Sequence, residues 1–86
     1  GAYISRTVHV RGIFESELAP LIDRVMKRYP EVYIKSHPQG GEGRAEARIK
    51  LDFSHSGYDV MKGRRAVSDA IAQMKRLLTG KAQIGK

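Results

Sequence analysis

Apolar positions between Leu18 and Tyr29 recur at the spacing of one helical face. Leu18, Leu21, Ile22, Val25, Met26 and Tyr29 form a single stripe, with Glu17, Asp23, Arg24, Lys27 and Arg28 on the opposite side. Ser16 is placed to cap this helix, since its hydroxyl can accept from a free N–H of the first turn. Glu15 and Glu17 suit the positive end of the helix dipole, and Lys27 and Arg28 the negative end. Pro20 lies early enough to remove no ladder donor. Pro30 ends the helix, because the residue before a proline is pushed out of the α region. The pattern predicts a helix over 16–29.

Elsewhere the pattern alternates. Over 4–13, Ile4, Val8 and Val10 share one face while Thr7, His9 and Arg11 take the other. Arg6 interrupts the inward set, which places it at an open end of that strand. A second strand is expected over 32–37, with Val32 and Ile34 inward and Tyr33, Lys35 and His37 outward. Residues 38–43, PQGGEG, read as a flexible turn. The clearest alternation follows over 44–53. There Ala45, Ala47, Ile49, Leu51 and Phe53 alternate with Arg44, Glu46, Arg48, Lys50 and Asp52, so one face is buried and the other wet.

Ser54 to Gly57 reads as a loop leading into a second helix over 59–78. The stripe of that helix is Val60, Val67, Ala70, Ile71, Met74, Leu77 and Leu78. Gly63 interrupts it and marks close packing or a bend. Gly80 suits the position just past the helix end, and the basic tail 81–86 is expected to fray.

The element order β-α-β-β-α predicts an α+β, two-layer domain over residues 1–80. A β-α-β unit favours a right-handed crossover between parallel strands. The third strand then returns between the first two. The expected result is a three-stranded mixed sheet of order 1-3-2 with two helices on one face.

With 86 residues there is room for one core and no deep two-lobed cleft. The absence of cysteine excludes a disulfide framework and thiolate metal sites and fits a cytoplasmic location. No apolar run approaches the roughly 20 residues that span a bilayer. The chain opens almost directly on a strand pattern, which suggests a piece of a longer protein. Sixteen Lys and Arg against nine Asp and Glu give a net charge of +7. That surplus points either to a polyanionic partner or to a generically charged surface.

Strand parity locates this charge. His9, Arg11, Tyr33, Lys35, His37, Arg48 and Lys50 all fall on the outward face. If helices cover only the other side, these residues form a basic, open sheet surface able to meet phosphates and to stack a base on Tyr33. Glu46 and Asp52 fall on the same face and oppose it. The spacing Gly40-Gly41-Glu42-Gly43 matches a nucleic-acid-clamping G-x-x-G loop, but it joins two strands here and is read as turn chemistry. His9, His37 and His55 are scattered, without the paired spacing of metal ligands. No nucleophile, acid–base pair or phosphate loop stands out, so neither an enzyme nor a cofactor site is expected.

The run Gly12-Ile13-Phe14-Glu15-Ser16-Glu17-Leu18-Ala19 resembles a segment of the competence/damage-inducible CinA family. The run from Tyr29 to Pro38, YPEVYIKSHP, is similar to its archaeal members. The resemblance implies a KH-like α/β accessory domain beside a molybdopterin-binding-type domain. It also implies that any nucleotide pyrophosphatase or deamidase chemistry belongs to flanking domains. The expected role is therefore a non-catalytic accessory domain whose partners are neighbouring domains of its own chain or a second copy of itself. The rival is a single-stranded nucleic-acid-binding module that uses the basic face on RNA.

Overall fold

The computed structural model describes residues 2–85. Seven elements follow one another: β1 (Ala2–Arg11), α1 (Glu15–Arg28), β2 (Tyr33–Pro38), α2 (Gly43–Glu46), β3 (Arg48–Gly57), α3 (Val60–Leu78) and β4 (Gln83–Gly85). The strands form one sheet in the order β2-β3-β1-β4. Every neighbouring pair is antiparallel. Apart from the single turn α2, this is the β-α-β-β-α-β arrangement of ferredoxin-like folds.

The fold thus differs from the three-stranded, mixed, KH-like sheet with two helices that the sequence suggests. Its described residues form four strands and three helices. The sheet is not mixed, because β3 separates β1 from β2 and no parallel pair is in contact. The tail is the second correction. Instead of fraying throughout, it contributes β4, whose Gln83, Ile84 and Gly85 pair with Arg11, Val10 and His9. Gly80, at φ +79°, turns the chain out of α3 and back towards that edge.

The third correction concerns the turn between β2 and β3. Gly40 and Gly41 both adopt φ +95°, and Gly43 follows at +73°. These left-handed steps wind residues 43–46 into the helical turn α2. Arg44, Ala45 and Glu46 therefore leave the strand pattern, and Ala45 is exposed. At its other end β3 continues through Ser54–Gly57, the stretch expected to be a loop. His55 consequently faces inward, 9% exposed, against α3. Gly63 fits beneath that ring: a Cβ there would stand 2.8 Å from His55 Nδ1 and 3.3 Å from Ile4 Cγ1. The glycine in the helix stripe is thus a packing requirement.

Both long helices lie on one face of the sheet. The core joins Val8, Val10, Ile34, Ile49, Leu51 and Phe53 of the sheet to Leu18, Ile22 and Val25 of α1 and to Ala66, Val67, Ala70, Ile71, Met74 and Leu78 of α3. Burying each large side chain contributes about 1.5–3 kcal/mol. Val60, assigned to the α3 stripe from sequence, lies on the first turn and is 39% exposed.

The start of α1 is also built differently from expectation. Phe14, not Ser16, holds the cap position, and its N–H donates to Glu17 Oε1 at 3.1 Å. The Arg44 guanidinium pairs with the same carboxylate and lies over the Phe14 ring, 4.7 Å from its centroid. With the helix beginning at Glu15, Pro20 is inside it and removes one ladder bond. The start of α3 is conventional: Asp59 caps it, with Oδ1 accepting from Lys62 N at 3.0 Å.

Candidate binding face

The sheet face away from the helices is open, and its residues fall into rows set by the register. At one end Arg48 lies directly opposite Arg11, which in turn lies opposite Gln83. The next row reads His37, Lys50, His9, Gly85. The row after it reads Lys35, Asp52, Thr7, followed by Tyr33, Ser54, Ser5. Residues directly opposite across antiparallel strands have Cβ atoms about 4.5–5.5 Å apart, and like charges so placed repel. The Arg11–Arg48 pair therefore opposes folding slightly unless an anion lies over it.

Among the described residues Asp52 is the one carboxylate side chain that this face retains, and it is already engaged. Thr7 Oγ1 donates to its Oδ1 at 2.7 Å, and His37 Nε2 lies 3.0 Å from Oδ2. The Thr7 hydroxyl, assisted by the Lys50 and His37 charges, holds this carboxyl below the usual aspartate range against the opposing effect of partial burial. Glu46, expected on the same face, sits in α2 instead. Among the described residues, Arg11, Lys35, Arg48 and Lys50 form no ion pair.

The register thus brings together all seven residues singled out from sequence: His9, Arg11, Tyr33, Lys35, His37, Arg48 and Lys50. It adds others that the sequence reading missed. Tyr3 shares the parity of Thr7 and His9 and is 70% exposed; Tyr33 is 60% exposed. The face therefore carries two aromatic rings. Tyr3 was legible from period 2, had the first strand been extended backwards. Gln39 and Gln83 were not, because their positions depend on the turn after β2 and on β4. With His9, Arg11, Arg48, Ile84 and Gly85 they line a shallow depression of about 530 Å³ at the arginine end. His55 is not part of this surface. Among the described residues no cluster of three or more His, Asp or Glu is placed to hold a metal ion. None of their helices is long and apolar enough to cross a membrane.

Comparison with known proteins gives relatives without a described activity. The chain is 37% identical to Protein TV0584 of Thermoplasma volcanium over 85% of its own length and 28% of the relative's. It is 34% identical to Protein Ta0487 of Thermoplasma acidophilum over 83% of its length and 27% of the relative's. It is 31% identical to a protein of Aeropyrum pernix over 99% of its length and 30% of the relative's. The chain therefore spans less than a third of the length of these curated relatives, all of them archaeal. No family model matches it, and no solved structure matches it.

Proposed function

We propose that this chain is a non-catalytic accessory domain of a longer, cytoplasmic CinA-like protein of the molybdopterin-binding type. The observation that carries this reading is the extent of the similarity. Relatives match nearly the whole chain, yet the match occupies under a third of each of them. A segment of that kind works beside other parts of the same protein. The geometry is in keeping with this role. The open sheet face is broad and shallow, and it offers a surface for contact more readily than an enclosed site for chemistry. The resemblance of Gly12–Ala19 and Tyr29–Pro38 to the CinA family supplies the family assignment, and with it the expectation that nucleotide chemistry lies in flanking domains.

The test compares this chain with full-length Protein TV0584 on ADP-ribose, following release of the monophosphates. The expected result is turnover by the longer protein and none by this chain. Hydrolysis by this chain alone would overturn the accessory role. A longer protein inert towards ADP-ribose would remove the CinA-like assignment.

A further inference from the structure

We propose that the open face of the sheet is a binding site for single-stranded nucleic acid, with its phosphates on Arg11, Arg48, Lys50 and Lys35 and its bases on Tyr33 and Tyr3. This does not depend on the accessory-domain reading and goes beyond it.

Three observations converge on this ligand. First, the cations are concentrated and outnumber the acidic groups of this face. Among the described residues four Lys and Arg side chains share the face with one carboxylate side chain, Asp52, whose oxygens are held by Thr7 and His37. The two arginines stand directly opposite each other across β1 and β3, an arrangement that repels when empty and is relieved by a bridging phosphate. His9 and His37 flank Lys50 in the adjoining row; His37 is engaged with Asp52, and His9 adds a further hydrogen-bonding ring.

Second, the shape is a track. Outward residues along a strand are spaced at twice the roughly 3.4 Å rise. Tyr3 and Arg11 of β1 are thus roughly 27 Å apart along one open surface. A free nucleotide or a lone phosphate would use only one end of it. An extended sugar–phosphate backbone can follow the whole length.

Third, the face is aromatic where it is not basic. Tyr33 and Tyr3 lie at the end away from the arginines, on opposite sides of β3, and both rings are largely exposed. Exposed rings on a sheet stack unpaired bases, which a duplex keeps inside its own stack. An acidic protein segment would satisfy the cations but leave the tyrosines without a role. Gln39 and Gln83, in the depression beside Arg11 and Arg48, place amide groups where a base edge at the phosphate end would lie.

The experiment is a fluorescence titration of the chain with a short mixed-sequence single-stranded RNA across a range of salt. The variants are Arg11→Gln/Arg48→Gln, Tyr33→Ala, and a control double change on α3, Lys75→Gln/Arg76→Gln, which removes the same charge from the helical side. All alter exposed side chains, and thermal melts confirm folding. For single strands log K falls with log salt at about 0.7 per phosphate neutralised, so the sheet double variant, which gives up the one phosphate bridged by the arginine pair, should lower the slope by about 0.7. Tyr33→Ala should weaken binding by roughly fivefold or more. The α3 variant should leave the slope unchanged. Three results would overturn the proposal. One is an α3 variant that loses as much as the sheet variant, which would make the charge generic. Another is an unchanged Tyr33→Ala affinity combined with full displacement of RNA by inorganic polyphosphate, which would reduce the face to a polyanion patch. The third is no binding at low salt.

Discussion

Single residues decide the turn that shapes one end of the sheet. Gly41 has φ +95°, and a Cβ on it would stand 1.9 Å from the carbonyl oxygen of Glu46. Gly40 has the same φ but nothing within 4 Å of its Cβ position. Holding a non-glycine residue in such a conformation costs of order 1–3 kcal/mol. Gly40→Ala should therefore lose that amount and Gly41→Ala clearly more, because α2 must also move. Urea unfolding of both variants checks this; a Gly41→Ala no less stable than Gly40→Ala would remove the steric account. A sequence shows that glycines cluster here, but not which one lies against a carbonyl.

At the level of elements, the entry to α1 depends on one ionised side chain. Glu17 accepts from the Arg44 guanidinium and from the Phe14 N–H. These two bonds, the first the larger cause, hold its carboxyl below the ordinary value of 4.5. A carboxylate whose pKa is lowered on folding contributes stability that is fully present above the unfolded value. That contribution is lost as pH falls through the folded value. Melting temperature should therefore fall as the pH drops below about 4.5, and Glu17→Gln should flatten that part of the profile while lowering stability at neutral pH. An unchanged acid limb in the variant would show that the cap has no such role. The helix itself was legible from Leu18, Ile22 and Val25; its first residue was not. The side chain that fixes that residue is joined to Arg44, 27 positions away.

For the whole molecule, the edges of the sheet matter as much as its face. Among the described residues β4 pairs with only His9, Val10 and Arg11, so the first part of β1 has a strand, β3, on one side and none on the other, and β2 forms the opposite edge of the sheet. Arg6 has inward parity on this half-open part of β1, and its guanidinium reaches Ser68 Oγ at 3.4 Å. A charge so placed discourages a further strand from docking there. β2 has no charge of inward parity, and its outward Tyr33 and Lys35 leave the backbone edge open. If two copies associate through β2, sedimentation velocity at several concentrations should show reversible dimer formation. A strict monomer at all concentrations would remove pairing of two copies at that edge.

The sequence by itself determined the two long helices, the inward sets of three strands and the basic parity of the outward face. Each of these follows from a local period that any burial of the apolar side must respect: Val8 with Val10, Ile49 with Leu51 and Phe53, Leu18 with Ile22 and Val25. It did not determine the fourth strand, the all-antiparallel order, the helical turn at α2 or the inward placement of His55. Gln83-Ile84-Gly85 is too short to show a period, and it becomes a strand only because β1 offers an unpaired edge where Gly80 returns the chain. Arg44–Ala47 alternates like a strand, yet the left-handed glycines before it wind it into a turn. The opposition of Arg11 and Arg48 is likewise a matter of register. It is fixed by how β1 and β3 bury their apolar faces together, and no spacing within either strand encodes it.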